Sequence, residues 1–163
     1  MRQNLRISII GPKGCGKSTF LKSFVPAALD TDDYGAIHPN RGSMSHARYA
    51  IDDDLILDIL AIRVPGKDSL LSMLLEGMLG HIFMLDSTMP EGWFDLEWLI
   101  QNTNVPSIIV ANKQDHPLAH SMTAIHTELA TTLPIYPCDA TDAELVKKIV
   151  LELLYMIIDD VEA

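Results

Sequence analysis

The sequence predicts an α/β fold: a six-stranded, mostly parallel sheet with one antiparallel hairpin strand and helices on both faces. Short apolar runs alternate with helical patterns at intervals of roughly thirty residues, which is typical of parallel strands joined by helices. A glycine-rich segment separates the first apolar run from the first helical pattern. Two neighbouring runs flank an acidic tripeptide, a spacing that favours an antiparallel hairpin.

The first strand and helix are followed by a long polar segment. Residues 5–10 are an apolar run and are predicted as a strand, and residues 17–25 follow as a helix that Pro26 ends. Residues 30–45 are rich in Asp, Asn, Gly, Pro and Ser, which predicts a long mobile loop.

The hairpin is predicted from two apolar runs, residues 46–51 and 55–63. Between them lie Asp52, Asp53 and Asp54. A solvated turn is favoured there over a cation site, because acidic residues are common in hairpin turns.

The second half of the chain repeats the alternation of helix and strand. The predicted elements are helix 69–79, strand 81–85, helix 91–102, strand 107–111, helix 122–133, strand 135–138 and helix 143–158. In the last helix Leu145, Ile149, Leu153 and Ile157 recur every four residues and are expected to form its buried face. In helix 91–102 the aromatic residues Trp93, Phe94 and Trp98 are expected to pack in the core or at its rim, with a partner-binding face formed by Phe94 and Trp98 as the alternative.

Length and composition indicate one soluble domain, residues 1–163, in the cytoplasm. The chain has 22 acidic and 12 basic residues and a formal net charge of −10, which disfavours nucleic acid and anionic membranes as partners. No apolar stretch is long enough to span a bilayer, and no lipid-anchor motif is expected in the chain. Cys15 and Cys138 are far apart in sequence and suit a reducing compartment.

Residues 11–18, GPKGCGKS, match the phosphate-binding pattern G-x-x-x-x-G-K-[ST] between a strand and a helix. Glycines allow the backbone to wrap phosphate oxygens at the positive end of the helix. Lys17 is expected to reach the β- and γ-phosphates as a catalytic residue, and Ser18 to ligate Mg²⁺. The predicted phosphate-contacting residues are Lys13, Gly14, Cys15, Gly16, Lys17, Ser18 and Thr19.

A second motif, N-K-x-D, follows the strand at 107–111 and consists of Asn112, Lys113 and Asp115 around Gln114. Ligand loops of α/β sheets lie at the carboxyl ends of strands. The Asp115 carboxylate can accept hydrogen bonds from guanine N1 and N2, which adenine does not offer. The stem of Lys113 is expected to cover the base, and Asn112 to connect this loop to the glycine-rich loop.

Together these motifs resemble the Ras superfamily of small GTPases, in particular the prokaryotic type found with Roadblock-type partner proteins. The resemblance implies a Ras-like P-loop fold, GTP or GDP with Mg²⁺, and a Roadblock-type regulatory protein as a possible partner. It makes residues 30–45 switch I, with Ser45 or Ser43 on Mg²⁺, and makes switch II run from Arg63 to about Leu71. It also implies further nucleotide contacts, which are Gly66, Asp139, Thr141 and the Ala140 N–H, the last to guanine O6.

The departures from the family pattern D-x-x-G fall on the groups that perform hydrolysis. Arg63 replaces the carboxylate that supports Mg²⁺, and Lys67 replaces the glutamine that orients water, which makes Lys67 a doubtful catalytic residue. Lys13 is long enough to crowd the γ-phosphate. Slow hydrolysis is therefore expected, unless Lys13, Arg63 or Lys67 supplies transition-state charge itself.

Three functions remain open from the sequence. The favoured one is a GTP/GDP switch with weak hydrolase activity. The second is a pseudo-GTPase interaction module that binds GDP or GTP with little or no turnover. The third, a P-loop kinase or ATPase, is disfavoured by Asp115 and by the lack of an arginine-rich lid.

Overall fold

Six strands form one mixed sheet in the computed structural model, which describes residues 2–26, 44–64 and 75–162. The strands are β1 (Gln3–Pro12), β2 (Met44–Ala50), β3 (Leu55–Val64), β4 (Gly80–Asp86), β5 (Ser107–Asn112) and β6 (Ile135–Pro137). Their order across the sheet is β2-β3-β1-β4-β5-β6. The β2–β3 pair is antiparallel, and the other four pairs are parallel. The predicted strands and the predicted hairpin are confirmed.

Four α-helices lie within the described ranges. They are α1 (Lys17–Phe24), α2 (Phe94–Asn102), α3 (Met122–Leu129) and α4 (Ala143–Glu162), and a 3₁₀ turn at Pro90–Trp93 leads into α2. None of these helices is both long and apolar enough to cross a bilayer.

The helices cover both faces of the sheet because side chains of a strand point alternately to opposite sides. On one face, α1 and α4 pack on strand residues such as Ile7, Ile9 and Ile59. On the other face, α2 and α3 pack on residues such as Phe83 and Leu85. All residues of β4 and of β5 are buried, as expected for central strands covered on both sides.

Three of these four helices differ by more than one residue from their predictions. The helix predicted at 143–158 extends to Glu162. The helix predicted at 91–102 begins as the 3₁₀ turn, because Pro90 starts it and the buried Trp93 indole donates to the Asp86 carbonyl at 2.8 Å. The helix predicted at 122–133 ends at Leu129, because Ala130 takes a left-handed conformation with φ of 42°.

The prediction that all three aromatic residues of this region pack in or beside the core is wrong for two of them. Trp93 is buried, but Phe94 is 70% exposed and Trp98 is 67% exposed. Leu96, Leu99 and Ile100 occupy the buried face of α2 instead, which leaves Phe94 and Trp98 on the solvent side.

Several predictions concern residues that the structure does not describe. Residues 30–43 of the predicted long loop and residues 69–74 of the predicted helix 69–79 lie outside the described ranges. Ser45 belongs to β2, where its backbone pairs with Ala61. The tripeptide Asp52-Asp53-Asp54 is exposed, and the Asp52 carboxylate accepts hydrogen bonds at 2.8 Å from the N–H groups of Asp54 and Leu55, as expected for a turn.

The sheet order identifies where a ligand site is favoured. The chain first adds β3 on one side of β1 and then crosses over to add β4 on the other side. The order of the strands therefore reverses at β1. Parallel sheets bind ligands at the carboxyl ends of the strands at such a point. The glycine-rich segment follows β1 at this position.

Candidate functional site

The loop between β1 and α1 is shaped by glycines that no other residue can replace without strain. Gly14 and Gly16 have φ of 80° and 106°, which is the region that favours glycine. A Cβ on Gly16 would collide with the Asn112 amide, and a Cβ on Gly11 would collide with the Met84 carbonyl. The loop therefore passes close to β4 and β5.

Lys17, the first residue of α1, turns its ammonium group back into the loop. Its Nζ donates to the carbonyl oxygens of Gly11 and Pro12, both at 2.8 Å, and lies 3.7 Å from Cys15 Sγ. Burial lowers the pKa of Lys17. The first turn of α1 contains no acidic residue, so the positive end of the helix is not neutralised there. Loop and helix together have the features that favour anion binding at a helix N-terminus.

Asn112 connects three separate segments. Its Nδ2 donates to the Cys15 carbonyl at 2.8 Å, and its Oδ1 accepts from the Ala140 N–H at 2.9 Å. Asn112 is 3% exposed, so both bonds are shielded from water. The predicted connection between the N-K-x-D motif and the glycine-rich loop is present.

Lys113 is held by an acidic residue to which the sequence analysis gave no role. The Lys113 Nζ donates to Asp86 Oδ2 at 2.6 Å, and Thr88 donates to Asp86 Oδ1. Burial acts to raise the pKa of Asp86, but the hydrogen bonds from Lys113 and Thr88 outweigh it and lower that pKa. Asp86 pairs with Asn112 across β4 and β5, so the strand alignment would have indicated its proximity.

The remainder of the motif places Asp115 at the surface. Gln114 Nε2 donates to Ser87 Oγ at 2.7 Å and to the His120 carbonyl at 3.0 Å, which fixes the loop from both ends. Asp115 is exposed, and its carboxylate has no hydrogen-bond or ion-pair partner among the described residues. It is thus able to accept hydrogen bonds from a ligand.

The segment after β6 lies beside this loop. The Gln114 N–H donates to the Cys138 carbonyl at 3.2 Å. Asp139 Oδ1 accepts from the Thr141 N–H at 3.0 Å and from the Thr141 hydroxyl at 2.6 Å, and these bonds lower the Asp139 pKa. The Ala140 N–H, predicted to bind guanine O6, donates to Asn112 in this structure because the two are brought together at the buried edge of the site.

Both cysteines are buried and free. Burial raises the pKa of the Cys15 thiol, although the charge of Lys17 acts to lower it. Burial also raises the pKa of Cys138 to about 12, with further contributions from the charges of Asp139, Asp142 and Asp115. Both thiols are therefore protonated, and both belong to the core beneath α1 and α4.

The remaining predicted residues are only partly described. Lys13, Ser18 and Thr19 are exposed along the loop and the first turn of α1. Gly66, Lys67 and Ser43 lie outside the described residues, as does the side chain of Ser45.

Arg63 lies next to the glycine-rich loop at the end of β3, where its Cα pairs with that of Gly11. It is exposed, whereas Ile62 and Val64 on either side of it are buried. Its charge contributes to lowering the pKa of Lys17, after the larger effect of burial.

The described residues alone do not form a complete magnesium site. Mg²⁺ is held by oxygen ligands, usually with carboxylates in or near its coordination shell. Within the described ranges no group of three or more His, Cys, Asp or Glu side chains could hold a metal. Ser18 contributes a hydroxyl at the start of α1, but the end of β3 presents the cation Arg63.

Beside the N-K-x-D segment, a groove of about 470 Å³ lies between the start of α2 and α3. The rings of Trp93 and His120 meet in it with centroids 5.5 Å apart, and Glu91, Glu97 and Glu128 line it. The His120 N–H donates to the Ser87 carbonyl, so the groove and the loop share a hydrogen-bond network.

Comparison with protein-family models finds no match to this chain, and comparison with curated proteins finds none either. Any assignment of function therefore depends on the site itself.

Proposed function

We propose that this chain is a guanine-nucleotide-binding protein of the Ras-like small-GTPase type. It acts as a switch between GTP- and GDP-bound states and hydrolyses GTP slowly. A Roadblock-type regulatory protein as partner stays a prediction from the sequence resemblance.

One arrangement supports this proposal most strongly. The Asn112 side chain bonds to the glycine-rich loop on one side and to the segment after β6 on the other. It thereby brings the phosphate-binding pattern and the N-K-x-D pattern to one edge of the sheet, with Lys17 at one end and Asp115 at the other. A nucleotide needs both: cations and N–H groups for its phosphates, and acceptors for its base.

A second candidate function is favoured by Arg63. A cation at the end of β3 does not attract Mg²⁺ as a carboxylate does, so a nucleotide-binding interaction module with little or no turnover is the alternative. The two functions differ in hydrolysis and not in binding.

Base selectivity is tested with Asp115→Asn. Guanine presents two donors, at N1 and at the 2-amino group, and a carboxylate accepts from both. Xanthine has an oxygen at position 2, to which an asparagine amide can donate. We expect the variant to bind GDP about a hundredfold more weakly, which corresponds to roughly 2.7 kcal/mol, and to bind xanthosine diphosphate more tightly than the parent does.

Calorimetric or fluorescence titration with GDP, xanthosine diphosphate and ADP measures this exchange of preference. Asp53→Asn is the matched control, because Asp53 is also exposed but lies in the hairpin turn. Equal affinity of the parent for ADP and GDP would reject a guanine-specific site.

Turnover distinguishes the switch from the module. Hydrolysis of GTP is followed under single-turnover conditions for the parent, Lys17→Ala, Arg63→Asp and Lys67→Gln. Slow hydrolysis that Lys17→Ala abolishes supports the switch. Tight GTP binding without hydrolysis, together with gain of hydrolysis in the double variant Arg63→Asp and Lys67→Gln, supports the module.

A further inference from the structure

Arg63 lies on the side of β3 that α1 covers. Side chains at alternate positions of β3, including Ile59 and Ala61, belong to the core beneath α1 and α4. Ile62 and Val64 belong to the opposite core. By this alternation Arg63 is directed to the α1 side, one position beyond the end of that core.

Gly11 occupies the equivalent position on the same side of the neighbouring strand β1. Ile7 and Ile9 of β1 lie in the core beneath α1, and Gly11 is the next residue in that series. The Cα atoms of Gly11 and Arg63 are paired in the sheet, so the Arg63 side chain starts beside the residue whose carbonyl accepts from Lys17. The charge of Arg63 also contributes to lowering the pKa of Lys17, after the larger effect of burial, which agrees with this proximity.

The phosphate cradle is consequently flanked by positive charge. Lys17 lies within it, Arg63 lies at its β3 side, and Lys13 is exposed on its outer side. A guanidinium can donate two parallel hydrogen bonds to phosphate oxygens, and it carries its charge at every physiological pH. It can thus perform the neutralising role of a divalent ion without coordinating one.

We propose that Arg63 is the counter-charge for the phosphates of the bound nucleotide, so that this chain binds guanine nucleotides without a divalent cation. This inference depends on the proposed function for the presence of a nucleotide. It adds that the residue at the end of β3 contacts the phosphates directly and makes the affinity independent of magnesium.

The test is titration of the full chain with mant-GDP and mant-GTP, once in excess EDTA and once in excess MgCl₂. We expect the two dissociation constants of the parent to agree within about threefold, and Arg63→Asp to weaken binding in EDTA by about tenfold or more. Arg63→Lys, which keeps the charge but not the two-pronged donor, is expected to lie between them. Circular dichroism of each variant verifies folding, which an exposed position is expected to tolerate.

Arg6→Asp is the matched control. Arg6 is an exposed residue on β1, five positions before Gly11, and the substitution changes the net charge equally. At a distance of roughly 16 Å, beyond the screening length at physiological salt, its effect on affinity is expected to be small. Equal weakening by both substitutions would indicate a general effect of net charge and would overturn the inference.

Two further outcomes separate this inference from the proposed function. Binding of mant-GDP by the parent in MgCl₂ but at least about tenfold weaker in EDTA would overturn the role of Arg63 and leave guanine binding intact. Absence of binding in both conditions would reject the proposed function, and the inference with it.

Discussion

Replacing Asn112 by alanine removes a side chain that joins three segments of the site. The Ala140 N–H, in a residue that is 3% exposed, loses its acceptor, and the Cys15 carbonyl loses a donor. A buried N–H without a partner costs roughly 1–3 kcal/mol, and an ordinary hydrogen bond contributes about 1 kcal/mol. We therefore expect Asn112→Ala to lower the free energy of unfolding by about 3 kcal/mol.

Urea denaturation measures this loss. With a typical slope of about 2 kcal/mol per molar urea, the midpoint is expected to fall by about 1.5 M without a change in slope. Asn102→Ala is the control, because Asn102 also donates to a carbonyl, that of Trp98 at 2.7 Å, but at an exposed helix end. Its effect is expected to stay within about 0.5 kcal/mol. Equal effects of the two substitutions would refute the reasoning.

Two further predictions concern backbone strain and pH. Gly16→Ala is expected to lower the free energy of unfolding by about 2 kcal/mol more than Gly14→Ala does. Both positions have positive φ, but only a Cβ on Gly16 collides with Asn112. Urea denaturation of the two variants measures the difference, and equal midpoints would show that the collision with Asn112 has no effect. Burial lowers the pKa of His81, which is hydrogen-bonded to Ser8, from 6.5 to about 4. As the pH falls, His81 therefore takes up a proton in the unfolded chain before it does so in the folded chain. The free energy of unfolding is expected to fall by about 3 kcal/mol between pH 6.5 and pH 4. His81→Gln should largely remove this loss, which denaturation curves at several pH values measure.

The strands could be predicted because central parallel strands are buried on both faces and thus have unbroken apolar sequences. Residues 107–111 are the clearest example, since all of them are buried in β5. Helix ends were predicted less well. Alanine is a good helix former, so nothing in the sequence indicates that Ala130 takes a left-handed conformation and ends α3.

The candidate site was predictable where a motif names its residues. Lys17, Asn112 and Asp115 were identified from two patterns, and the structure places them along one edge of the sheet. No role was predicted for Asp86, because its contact with Lys113 depends on the alignment of β4 with β5 and on no local pattern. The Ala140 N–H was predicted to bind a ligand, because the sequence does not show that the Asn112 side chain is close enough to accept from it.

Asn112 also determines how ligand binding relates to the folding of the chain. Its two partners are 97 and 28 residues away in sequence, so these contacts close long loops whose entropic cost is recovered only when the sheet has formed. We therefore expect the site to be completed late in folding, after β4 has paired with both β1 and β5. A ligand that bridges the same segments would slow amide hydrogen exchange throughout the central strands, far from any atom that it touches.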